Sequence, residues 1–264
     1  MAMETTHAAQ EPDPLFEEYS YPTMFGDAEV FTLQTEDGVP VRVLYVGGGF
    51  QSATYLAERR FQPVFAYYRA IDLVFRAARP VRRMLMIGGG AFSYPKYLLM
   101  SGDPQHQNAS IDVVEIDPAI VDIARRHFFL DEVEKLHGPA GTGRLGVIVG
   151  DGERVLHDAE PCAYDVVVND SFDGTDPTRG LLSPEALAQS KRAMVPEGLY
   201  LMNVIAQDAA QAAPVARVLH GAFANVYLHL CPDEDFDGSS NSLLIATDAP
   251  LSLPGLMELS GALE

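Results

Sequence analysis

Acidic residues stand where short apolar runs end in this chain, and their order suggests a binding site followed by a reaction site. Asp170 and Asp173 follow the run Asp165-Val166-Val167-Val168 as D-x-x-D on a loop, a spacing that brings two carboxylates within reach of one cationic group. Gly88-Gly89-Gly90 follows the run Met84 to Ile87 and lets the backbone approach a bulky ligand closely. The loop matches G-x-G-x-x-G only in its first two glycines, with Ser93 in place of the third, and a plain tight turn accounts for it equally well. Glu115 lies 27 positions after Gly88, where a carboxylate accepts from both hydroxyls of a ribose. Asp117 reads as a helix cap. Asp151, between Gly150 and Gly152, is placed to accept from an exocyclic amine such as that of adenine. Singly, each acid is also a turn former or a cap; in order, they describe a nucleoside site followed by an acid pair.

Such residues meet only if the strands before them run parallel. Arg83 to Ile87, Ile111 to Ile116, Leu145 to Val149, Asp165 to Val168 and Leu199 to Met202 are apolar runs that alternate with helical patterns opened by Pro95, Asp117-Pro118 and Ser183-Pro184. Two closing strands follow at Val226 to Leu228 and Leu243 to Ile245. This alternation predicts a doubly wound α/β domain over 63–264, with ligands outside the carboxyl ends of its strands. Ahead of it, Val30 to Leu33 and Val41 to Val46 flank Asp37-Gly38 as a hairpin, giving a small β subdomain over 15–62. Val64, Tyr67, Tyr68, Ile71, Val74 and Phe75 predict one amphipathic helix after Pro63. Residues 1–14 read as a disordered tail.

The 264 residues include 37 acids against 18 Lys and Arg, a net charge of −19, and 47% are hydrophobic. A chain of this length buries about 75% of its unfolded surface, which excludes disorder over most of it. The acidic excess argues against nucleic acid and anionic lipid as partners. No apolar run approaches the ~18 residues of a membrane span, and the first residues lack the pattern of a signal peptide. Cys162 and Cys231 are the only cysteines and form no C-x-x-C, and the seven histidines show no ligand spacing. The expectation is a cytoplasmic protein with no bound metal.

The ordered stretches MLMIGGG, VVEIDPAIVDIARRHF, GVIVGDGERVL and YDVVVNDSFD resemble those of the spermidine synthases, or polyamine aminopropyltransferases, from about Val30 to about Thr247. The resemblance implies a Rossmann-like, seven-stranded sheet of the kind shared with AdoMet-dependent methyltransferases, often in a homodimer. It implies Glu115 on the ribose, Ile116 against the adenine, Asp151 with Gly152 at the exocyclic amine, and Gln51 and Tyr67 at the ligands. Asp170 would orient and deprotonate an attacking amine, aided by Asp173. The family loop reads G-G-G-D-G-G, and its acid holds the ammonium of decarboxylated AdoMet; here Ala91 stands in that place. Losing the acid removes a charge that would repel the carboxylate of intact AdoMet. Tyr68-Arg69-Ala70 and Gly174-Thr175-Asp176-Pro177 also depart from the family pattern.

The resulting expectation is a transferase using AdoMet, or decarboxylated AdoMet, and a small-molecule acceptor such as an amine. Methyl transfer from AdoMet leads, with aminopropyl transfer second. A nucleoside-binding homologue without catalysis and a nicotinamide-dependent oxidoreductase are the readings from other classes.

Overall fold

The computed structural model describes residues 16–35, 37–77, 79–173, 176–231 and 241–259. The proposed tail over 1–14 lies outside them. The first sheet is a four-stranded antiparallel meander, β1 Tyr19–Thr23, β2 Gly26–Gln34, β3 Pro40–Val46 and β4 Gly49–Tyr55, in that order. The predicted hairpin is β2 with β3. β1 and β4 go unpredicted because Tyr19 to Thr23 carries few apolar residues and Gly47-Gly48, both at positive φ, open a second turn rather than ending the sheet.

The helix predicted from Val64 to Phe75 divides into α1, Ala66–Ala70, and a 3-10 segment, Ile71–Arg76. Its apolar side chains still face inward, since spacings of three suit both geometries. The second sheet then builds up from β5 Arg83–Ile87, α2 Ser93–Met100, β6 Ser110–Glu115, α3 Pro118–His127, α4 Leu130–His137, β7 Leu145–Val149, α5 Gly152–Asp158 and β8 Tyr164–Asn169. A short hairpin of β9 Phe172–Asp173 and β10 Asp176–Pro177 follows, then α6 Pro184–Ala193, β11 Met194–Ile205, α7 Ala209–His220, β12 Asn225–Leu230, β13 Asn241–Thr247 and β14 Met257–Leu259.

The strand order is β14-β12-β13-β11-β8-β5-β6-β7, parallel from β7 to β11 and antiparallel beyond. Among the described residues this sheet has eight strands where seven are expected, because the C-terminal segment adds β14 to the free edge of β12. Two apolar clusters cover the faces of this sheet. A third joins the two sheets, with Ala28, Val30, Leu44 and Val46 packed against Ala91, Ile120, Ile123 and Phe128. Among the described residues no helix is long and apolar enough to cross a membrane.

Candidate active site

The carboxyl ends of β5, β6 and β8 converge on the glycine loop. Gly88 has φ +96°, and a Cβ there would lie 2.3 Å from the Asp170 carbonyl oxygen, so only glycine lets β5 and β8 close at this point. The Asp170 amide donates to the Ile87 carbonyl at 2.8 Å, and the Gly88 amide to that of Val114 at 2.9 Å. A Cβ on Gly89 would meet the Phe92 ring at 2.9 Å, and one on Gly90 the Ser52 hydroxyl at 2.8 Å. Ser52 comes from β4, so the first sheet forms one side of the loop, and its Oγ accepts from the Ala91 amide at 3.0 Å. Gln51, beside it, is half-buried. Phe92 takes the left-handed conformation, φ 56° and ψ 36°, at the position where the family pattern has glycine.

Glu115 is 7% exposed and faces the loop. Its Oε2 accepts from the amides of Gly89 and Gly90 at 3.0 Å each, and its Oε1 from that of Asp117 at 3.0 Å. Burial raises its pKa, against the lowering effect of these three amides. Oε1 keeps room for one further donor, as a ribose hydroxyl would supply. Asp117 caps α3 through Ala119 and also holds the Met24 amide of the first sheet. Ile116 presents an apolar side chain, 39% exposed, at the end of β6. Asp151 caps α5, with Oδ1 accepting from the Arg154 amide at 3.0 Å; its second oxygen has no partner among the described residues. Gly152 is pressed onto Ile87, where a Cβ would lie 2.5 Å from the isoleucine Cγ2. This set of an apolar plate, free acceptors and close backbone fits a nucleoside. A cavity of about 530 Å³ along β7 and α5 meets the set only at Asp151.

Asp170 lies next to the loop, its carboxylate held from two elements. Tyr67 of α1 donates to Oδ2 at 3.1 Å, and Asn203 of β11 donates to Oδ1 at 2.8 Å. The Tyr68 hydroxyl faces the same carboxylate, Ser52 and Tyr67, with the two tyrosine rings 4.1 Å apart. Burial pushes the Asp170 carboxyl up to about 7, and the donors from Asn203, Tyr67 and Tyr68 pull against that rise. Next to it, Asn169 donates to the Tyr200 hydroxyl at 3.0 Å and accepts from Ser171. Asp173 sits in β9 with its backbone opposite Asp176, and its side chain lies outside what is described.

The structure therefore brings Gly88, Gly89, Gly90, Glu115, Asp170 and Tyr67 together, with Ser52 adjoining Gln51. Three contributors, Ser52, Tyr68 and Asn203, are not among the site residues expected from the sequence, where Tyr68 figures only as a helix-face residue and a departure from the family pattern. Asn203 follows the run Leu199 to Met202, so the strand-end rule applied to the other runs would have found it. Ala91 needs a correction: it is 0% exposed and packs into the cluster between the sheets, so its methyl does not line the ligand site. An Ala91→Asp exchange would bury a carboxylate among apolar groups and destabilise the fold.

Human eEF1A lysine and N-terminal methyltransferase is 28% identical over 193 residues, which are 69% of this chain and 25% of that protein. The polyamine aminopropyltransferase of Agathobacter rectalis is 33% identical over 139 residues, 51% of this chain and 44% of that protein. The chain thus spans about a quarter to less than half of these curated relatives. A probable spermidine synthase from Corynebacterium glutamicum superposes with a TM-score of 0.69 at 19% identity, over 91% of this chain and 82% of that one. Human methyltransferase-like protein 13 in complex with SAH superposes with a TM-score of 0.53 at 22% identity, over 70% of this chain and 83% of that one. Both share the mostly parallel α/β fold. The spermine/spermidine synthase domain model matches residues 38–211, and the chain belongs to that family.

Proposed function

We propose that the protein binds an S-adenosylmethionine-type sulfonium nucleoside at the glycine loop and transfers methyl from intact AdoMet to an amine or other small nucleophile. The observation that carries this reading is the Asp170 carboxylate, raised to about 7 and held by Tyr67 and Asn203 one residue from where β8 meets the glycine loop. A sulfonium supplies an activated leaving group, so the protein's work is to position the partners and keep the attacking nitrogen unprotonated.

In this reading Gly88, Gly89 and Gly90 admit the nucleoside, Glu115 takes the ribose, Ile116 covers the adenine, and Asp151 with Gly152 meets its amine. Gln51 and Tyr67 border the ligands, and Asp170 is the base, with Asp173 binding the acceptor. One observation favours methyl: the methyltransferase relative aligns over 69% of this chain, against 51% for the aminopropyltransferase. The 33% identity to the aminopropyltransferase supports aminopropyl transfer as the second reading.

Calorimetric titration with AdoMet, decarboxylated AdoMet and methylthioadenosine separates the two. Tighter binding of AdoMet is expected; tighter binding of the decarboxylated form would reverse the order of the readings, and no binding of any would remove both.

A further inference from the structure

We infer that Asn203 limits the acceptor site to a single transfer: its side-chain carbonyl reads a second N–H on the attacking nitrogen, so a primary amine is used and an amine already carrying the transferred group is refused. The inference rests on the transferase reading above and adds how many groups one nitrogen receives.

Asn203 is 3% exposed, and its Nδ2 donates to Asp170 Oδ1 at 2.8 Å. In its ionised form, the form that acts as base, Asp170 only accepts, which sets the amide with Nδ2 toward it and Oδ1 turned aside. That Oδ1 is buried and has no donor among the described residues. Buried acceptors are almost always bonded, so one left open beside the proposed base calls for a donor brought by the ligand. Neighbouring donors are committed elsewhere: Tyr67 to Asp170, and the amide and hydroxyl of Ser171 to Asn169. Asp170 and the Asn203 carbonyl are bridged by one amide, a span over which a single tetrahedral nitrogen can donate to both.

A neutral primary amine carries one lone pair and two N–H groups. Its lone pair forms the new N–C bond as the C–S bond breaks, with that bond's pair left on sulfur. One proton passes to Asp170 while the other N–H stays on Asn203 Oδ1. The nitrogen leaves as a secondary amine; in its neutral, reactive form it has only one N–H and cannot serve both acceptors.

The test titrates n-butylamine and N,N-dimethylbutylamine, whose charged forms carry three and one N–H groups, into the full chain saturated with S-adenosylhomocysteine. The expected result is that the dimethyl form binds about tenfold more weakly. Asn203→Leu, of similar volume, removes the acceptor together with the Nδ2 donor to Asp170, so it is read by binding alone: it should abolish the preference and keep S-adenosylhomocysteine affinity. Product masses from n-butylamine and AdoMet should show one methyl and no second for the wild type. A preference that survives in the leucine variant is steric and overturns the inference. Should that variant fail to fold, equal affinity of the wild type for the two amines overturns it as well. Failure of S-adenosylhomocysteine to bind would instead bring down the transferase reading, and this inference with it.

Discussion

Asp170 carries the pH behaviour of the site. With burial holding its carboxyl near 7, a base in this position is half protonated at neutral pH. Turnover should fall about tenfold per unit below pH ~6 and level off above pH ~8, read from kcat/KM against pH. Asp170→Asn should lose on the order of 10² to 10⁴ in turnover while nucleoside affinity stays within a few fold, which separates an enzyme from a nucleoside-binding homologue without catalysis. The same group has a stability signature. Its native pKa stands above the unfolded value, so its stabilising contribution is complete below about pH 4 and lost as pH rises through about 7. Asp170→Asn should therefore unfold a few degrees higher than the wild type at pH 8 and converge with it toward pH 4, by thermal denaturation at both pH values. Asp170, Glu115 and the glycines were legible as a set because they follow successive apolar runs, although singly each is also a turn former or a cap. Ser52 and Tyr68 were not, because their roles come from contacts between segments that sequence spacing does not reveal.

At the scale of elements, close approach at the glycine loop leaves no room for a side chain. Gly88→Ala would push a methyl into the Asp170 carbonyl at a backbone conformation that alanine rarely adopts. It should destabilise the fold by about 2 kcal/mol or more and abolish nucleoside binding, as measured by denaturant unfolding and calorimetry. The parallel strands β5, β6, β7 and β8 and the capped start of α3 at Asp117-Pro118 were readable as apolar runs and cap chemistry. α4 was not, since Phe129 turns the chain by taking φ +63° without glycine. The 3-10 segment after α1 escaped because spacing alone does not separate it from an α-helix. β14 escaped because a three-residue strand owes its existence to the open edge it joins.

For the whole molecule, we place the boundary between a β subdomain and the α/β domain at residues 62 and 63. The cluster of Ala28, Val30, Leu44 and Val46 with Ala91, Ile120, Ile123 and Phe128 makes the two parts interdependent. A fragment of residues 63–264 is expected to lose the single cooperative unfolding transition of the full chain, followed by circular dichroism on heating. The C-terminal segment matters in a similar way. Leu251, Leu253 and Leu256 pack on the core, the Leu251 amide donates to the Tyr227 hydroxyl at 2.9 Å, and β14 pairs with β12. Removing residues 249–264 should lower the unfolding midpoint by roughly 5–10 °C.

The glycine loop is fastened from both sides before any ligand arrives, by Glu115 at the amides of Gly89 and Gly90 and by Ser52 at that of Ala91. Its entropy of ordering is then spent once, when the chain folds, and not at each encounter. Nucleoside association should consequently follow a single exponential in stopped flow, with an observed rate linear in concentration and no slow rearrangement to saturate it.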